Sequence, residues 1–243
     1  MIRTKELATW LPSPAKLLKQ FCLSLLSYAT LPLYKEKDNG VQIFFRHNYS
    51  VEPDEFIFDG TTNGYFSKVN HFIELMPISE MEIVDLGCGK GSFYEWLCSK
   101  KVSIRKYTGI DFSINNTQLD KTSSLVCDDI NNIQTYIAGN KTLVTMCNSL
   151  CYIDYDEFSN VLSSLHVGNH LIIIEPAPHL FWDAHFSGVK PYYRNHEAVC
   201  EILSAHGYVV QNLVTDYLFK LGKRFYSEMS YGIYAYKVYD ICA

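Results

Sequence analysis

In the stretch EIVDLGCGKGSF (residues 82–93), Gly87, Gly89 and Gly91 stand at alternate positions behind an acid, Asp85. Glycine accepts a positive φ without steric cost and leaves no Cβ between the backbone and a ligand. Three glycines in one turn, followed by a helical pattern, present bare N–H groups at a helix start. Asp111 falls 24 residues after Gly87, at the end of KYTGID. A carboxylate there can accept hydrogen bonds from two vicinal ribose hydroxyls; it can also serve as a helix N-cap before FSINN. In VCDDIN, Asp128 or Asp129 can accept from an adenine amino group while Ile130 packs on the ring, and one of the two suits a cap. Two other chemistries fail on spacing. A phosphate-binding P-loop needs GxxxxGK[ST], but Lys90 is followed by Gly91; a dinucleotide turn needs GxGxxG, but Ser92 stands where the last glycine belongs.

These residues are useful only if several strand ends meet along one edge. Short β-rich runs lie at 82–86, 106–111, 124–128, 142–148 and 170–176. Between and after them come segments at helical spacing. GSFYEWLCSK groups Phe93, Trp96 and Leu97, DEFSNVLSSLH groups Phe158, Val161, Leu162 and Leu165, and HEAVCEILSAHG groups Val199, Ile202 and Leu203 before a terminating Gly207. Strand alternating with helix predicts a parallel sheet covered on both faces. Two final runs, 208–219 and 230–240, are joined by a segment too short for a crossover helix, which predicts an antiparallel hairpin. Residues 1–78 differ in texture: a helix over about 14–28, a Pro/charged break, then turn signals at Asn39-Gly40 and Asp59-Gly60 and a further helix over YFSKVNHFIELM. They are expected to form a helical lid over a domain spanning 79–243.

The 243 residues are 48% apolar, ample for a sizeable core, and carry a net charge of −5. That balance argues against a broad electrostatic grip on nucleic acid. The eight cysteines sit mostly in apolar runs and form no CxxC pair, which points to buried thiols in a reducing cytoplasm and to no metal site. The apolar stretch within Lys16–Leu33 is shorter than a membrane span needs, so stable membrane insertion is not expected.

Taken in order, VDLGCGKGS, GID and CDDI resemble the first three motifs of class I S-adenosylmethionine-dependent methyltransferases. NSLCYID followed by VLSSLHVGNHLIIIEP is similar to that family's fourth strand, fourth helix and fifth strand, with Val167-Gly168-Asn169 where Pro-Gly-Gly is common. The resemblance implies an α/β Rossmann-like, doubly wound seven-stranded sheet, mostly parallel with an antiparallel terminal strand. It implies S-adenosylmethionine as cofactor. Asp85 would orient the turn and the methionine amino group, with Gly87, Cys88 and Gly89 lining the methionine moiety. Asp111 would hold the ribose, Phe112 would pack on adenine, and Asp129 with Ile130 would read the adenine edge. Cys147 and Asn148 would meet the methionine part through backbone groups. An acidic rim also suits a sulfonium better than a basic phosphate pocket would.

The acceptor is coded outside these motifs. Strand four ends NSLCY rather than in the (D/N)PPY signature of amino-methylating nucleic-acid enzymes. The loop EPAPHLFWDAHFSGVKPYYRNH offers His179 and His185 as bases, and Glu175 ends the preceding strand. Tyr65 and Tyr152 are candidates for the acceptor pocket. The expected reaction is methyl transfer to an oxygen or nitrogen of a small molecule. RNA or protein methylation, and a non-catalytic subunit of the same fold, are the alternatives.

Overall fold

The computed structural model describes residues 62–176, 194, 196–221 and 225–240. One sheet contains β1 (Glu82–Leu86), β2 (Lys106–Ile110), β3 (Thr117–Gln118), β4 (Ser123–Val126), β5 (Thr142–Cys147), β6 (His170–Pro176), β7 (Tyr208–Leu221) and β8 (Phe225–Lys237). Their spatial order is β3-β4-β2-β1-β5-β6-β8-β7. Strands β4, β2, β1, β5 and β6 are mutually parallel. Strand β8 runs antiparallel to both β6 and β7. The expected architecture is present, with the two-residue β3 added at one edge. The terminal hairpin is also longer than the sequence pattern indicates, because both strands run on into the segment expected to be their connection.

Side chains alternate across the sheet, and both faces are buried, as a parallel sheet requires. Ile83, Leu143, Ile172 and Ile174 face a layer that includes Phe93, Trp96 and Leu97 of α2 (Ser92–Ser99) and Phe66, Val69 and Phe72 of α1 (Thr62–Ile73). Val84, Leu86, Val144, Met146, Leu171 and Ile173 face α3 (Tyr155–Ser164) and α4 (His196–Ala205) through Phe158, Val161, Leu162, Val199 and Leu203. Helix α1 thus shares the sheet's own core, while the rest of the expected lid segment, with its helix over 14–28, lies outside the described residues.

Two crossovers lack the helices that alternation predicts. Residues 111–122 carry only β3, and residues 130–135 form a 3-10 turn. The reason is local. Asp111 accepts from the Ser113 amide, Asp120 accepts from the amides of Thr122 and Ser123, and Asp129 accepts from the Asn131 amide. Short polar side chains that bond their own backbone in this way compete with the helical ladder.

Helix α3 starts at a complete capping box, with Asp154 accepting from the Glu157 amide at 2.8 Å and Glu157 from the Asp154 amide at 2.9 Å. Asp154→Ala is expected to cost about 1 kcal/mol, and Asp154→Asn much less, because asparagine also caps well. Urea unfolding midpoints compare them; equal losses would show that the cap contributes nothing specific.

Strand order reverses between β1 and β5. From β1 the chain builds β2 and β4 on one flank and then crosses to build β5 and β6 on the other. A crevice beyond the carboxyl ends of two such strands is where open α/β sheets receive ligands.

Candidate functional site

The turn after β1 opens at that crevice. Gly87, Gly89 and Gly91 all take positive φ, 69°, 52° and 86°. The turn is fixed to the neighbouring strand, since the amides of Gly87 and Cys88 both donate to Ile110 O, at 2.8 and 3.2 Å. Gly87 is required for a second reason. A Cβ at this position would lie 2.4 Å from Ser149 Cβ, in the loop after β5. The two strand-end loops therefore touch across the switch point without room for one methyl group.

Asp85 lies beneath this turn and is 2% exposed. It accepts from Tyr107 Oη at 2.5 Å and from Thr145 Oγ1 at 2.7 Å, one partner from each flanking strand. Burial pushes its carboxyl up to about 6 against the pull of those two bonds. Its described bonds go to strand hydroxyls, and the turn itself is held by Ile110. Thr145 was the missed signal, a hydroxyl in the middle of the run TLVTMC, which Thr142 opens.

Asp111 stands at the end of β2, also buried, and joins the two motifs directly. It accepts the Gly89 amide at 3.0 Å on Oδ2 and the Ser113 amide at 2.8 Å on Oδ1. Gly109, two residues earlier, is needed to seat Cys88. A Cβ there would meet Cys88 Sγ at 2.7 Å and Leu125 Cδ2 at 2.8 Å.

At the end of β4 the two acids divide their work. Asp129 caps the 3-10 turn over 130–135 through the Asn131 amide. Asp128 accepts from Asn132 Nδ2 at 2.8 Å and Tyr136 Oη at 2.5 Å, bonds that hold its carboxyl below the usual range. Phe112 and Ile130 are both part-buried beside these strand ends.

Beyond β5, Cys147 leads into Asn148, which has φ 59°. A non-glycine residue in that region is uncommon, and such conformations gather at functional sites. The following 3-10 turn, Leu150–Tyr152, carries Tyr152. Glu175, offered by the sequence as a catalytic carboxylate, is placed differently: it is 2% exposed and accepts the amides of Ser149 and Leu150 at 2.7 Å and of Cys151 at 3.3 Å. Burial raises the thiols of Cys88, Cys147 and Cys151 well above their ordinary value. They stay protonated and act as walls rather than nucleophiles. Cys98 and Cys127 are exposed, unlike the buried thiols expected from cysteines that lie mostly in apolar runs. His179 and His185 lie outside the described residues, as does the Tyr65 side chain. Among the described residues no cluster of His, Cys, Asp and Glu could hold a metal ion, and no helix is long and apolar enough to cross a membrane.

No protein-family model and no curated protein matches the sequence. Solved structures do match the fold. The 1,6-didemethyltoxoflavin-N1-methyltransferase of Burkholderia thailandensis, solved with 1,6-didemethyltoxoflavin and S-adenosylhomocysteine, superposes with a TM-score of 0.59 at 10% identity, over 82% of this chain and 88% of that one. A Leishmania major S-adenosylmethionine-dependent methyltransferase gives 0.58 at 11% identity, over 81% of each chain. An Archaeoglobus fulgidus enzyme of the same description gives 0.52 at 15% identity, over 74% of this chain and 96% of the other. The fold is that of class I S-adenosylmethionine-dependent methyltransferases. In a methyltransferase fold, the edge where Gly87, Asp111, Asp128 and Asn148 converge is the carboxyl edge of the sheet, where the crevice opens.

Proposed function

We propose that the protein is an S-adenosylmethionine-dependent methyltransferase acting on an oxygen or nitrogen of a small-molecule acceptor. The observation that carries this reading is the joint made by Asp111 and Gly89. A strand-end carboxylate and a glycine-turn amide are 3.0 Å apart at the switch point, in a rim that also holds Asp128 and lies above the buried Asp85. Cations and hydroxyls suit that rim, whereas a pyrophosphate would meet carboxylates on several sides.

In this reading the backbone of Gly87, Cys88 and Gly89, with Cys147 and Asn148, lines the methionine end, above Asp85. Asp111 accepts a ribose hydroxyl on the free lone pair of Oδ2, since its Oδ1 already takes the amide and hydroxyl of Ser113. Phe112 and Ile130 flank the adenine. Asp128 or Asp129 takes the adenine edge on a lone pair left over from the bonds that each already accepts from its own turn. The group supplies an activated methyl when bound, and the protein's task is to hold acceptor, methyl and sulfur in line. Tyr152 and Tyr65 belong to the acceptor side, and His179 or His185 would remove the acceptor's proton. A small-molecule acceptor is supported by the net charge of −5 and by the methyltransferase of the same fold that holds 1,6-didemethyltoxoflavin.

Calorimetric titration with S-adenosylhomocysteine tests the core of the proposal. Wild-type protein is expected to bind, and Asp111→Asn to bind about 5- to 30-fold more weakly, roughly 1–2 kcal/mol for charge-assisted bonds reduced to neutral ones. Unchanged affinity in the variant would remove the ribose assignment. Absence of heat with the wild type would remove the proposal.

A further inference from the structure

We infer that Glu175 and Arg194 are positioning residues that hold the turn 148–153 in the form the cofactor site requires, one gripping its amides and the other its carbonyls. The inference rests on the methyltransferase reading and gives a role to two charged residues set back from the crevice. Glu175 Oε1 takes the amides of Ser149 and Leu150, and Oε2 takes that of Cys151. Arg194 Nη1 donates to Leu150 O and Nη2 to Ile153 O, both at 3.1 Å. Its guanidinium also sits 6.0 Å from the ring centre of Phe158, a fully buried residue of α3. A carboxylate only accepts and a guanidinium only donates, so the two grips are complementary and neither can replace the other.

This turn is worth gripping because of what lies on it. Asn148 is in a left-handed conformation, and neighbours must enforce that. Ser149 leaves no room for a methyl group on Gly87. Tyr152, a half-buried candidate for the acceptor pocket, is on the same turn. A small shift of 148–153 therefore alters the cofactor crevice and the acceptor side together. The groups within electrostatic reach of Glu175 are Cys147, Cys151 and Arg194; those around Arg194 also include Tyr231 and Asp154.

The grip is titratable. Burial pushes the Glu175 carboxyl up to about 7 against its three amide bonds. The carboxylate also accepts from the Cys151 thiol, and a proton placed on Oε2, whose amide bond is the longest of the three, loosens its hold on the Cys151 amide at that end of the turn. Glu175→Gln places an NH2 group there and reproduces the protonated form at every pH.

The test is titration of the whole chain with S-adenosylhomocysteine between pH 6 and 8. Wild-type affinity is expected to fall severalfold as pH drops from 8 to 6. Glu175→Gln is expected to sit near the wild type's low-pH affinity throughout. Arg194→Met is expected to bind about tenfold more weakly, and Arg194→Lys, which keeps the charge and one carbonyl bond, to fall between. If the methionine variant does not fold, the lysine variant decides in its place. Glu175→Gln following the wild type's pH course, or either Arg194 variant binding as wild type, overturns the inference and leaves the methyltransferase reading standing. A wild type that does not bind removes both.

Discussion

Gly87→Ala is expected to abolish measurable S-adenosylhomocysteine binding and to lower stability by roughly 2–4 kcal/mol. Two costs combine. With φ at +69°, any L-residue sits in the left-handed region, which costs about 1–2 kcal/mol. The new Cβ would also lie 2.4 Å from Ser149 Cβ. That atom is one bond from the backbone, so no rotamer change relieves the contact, and the loop after β5 must move off the turn. Ser149 is itself tied through its amide to Glu175, so the displacement also strains that bond. A double-variant cycle separates the two costs. In a Ser149→Gly background the same substitution meets no Cβ, so the steric share is returned while the φ strain remains. Urea unfolding and calorimetry on the four proteins give the coupling. Additive losses would mean that the two loops do not meet as described, and Gly87→Ala binding within threefold of wild type would detach the turn from the cofactor.

How far the site can be read from sequence depends on the range of the interaction. Strands β1 and β6 end where the apolar runs EIVDL and HLIIIEP end, because a strand buried on both faces needs an uninterrupted run of that length. The convergence of Asp85, Asp111, Asp128 and Asn148 follows from topology alone, since parallel strands bring all their carboxyl ends to one edge. What those side chains do there is set at longer range. The partners of Asp85 lie 22 and 60 residues away, and Glu175 reaches amides 24 to 26 residues upstream. No local period records such bonds, so Glu175 looks like a free strand-end carboxylate until the turn it holds is in view. The missing helix over 111–122 is a different case. Its signal was present in Asp111, Ser113, Asn115, Asn116 and Asp120, each a poor helix-interior residue, but strand-helix alternation outweighed it. The acceptor-side candidates Tyr65, His179 and His185 fall where the described residues give no side-chain account.

Lowering the pH from 7.5 to 5 is expected to stabilise the folded chain against urea, the reverse of ordinary acid destabilisation. Asp85 has its carboxyl raised from 3.8 to about 6 by burial, and Glu175 from 4.5 to about 7. A raised pKa means that the folded state keeps a proton which the unfolded state gives up. Such a group's contribution is therefore fully present below the unfolded value and is lost as pH rises through the folded one. The window runs from about 4 to 7, and the shift at Asp85 alone corresponds to an order of 2–3 kcal/mol. The half-buried His170, with its imidazole lowered by burial, works in the opposite direction below its ordinary value. Asp120 and Asp128, held below the usual range by hydrogen bonds, lose their contribution only under about pH 4, outside the window. Asp85→Asn isolates the effect. The amide can still accept from one hydroxyl and donate to the other, because Tyr107 and Thr145 can each do either. It cannot titrate, so the share of the slope between pH 4 and 6 that belongs to Asp85 should disappear, and the variant should gain on the wild type most at pH 7.5. Parallel stability curves for the two proteins across that range would mean that the carboxylate carries no burial cost, and that it is solvated from the crevice above rather than sealed beneath the glycine turn.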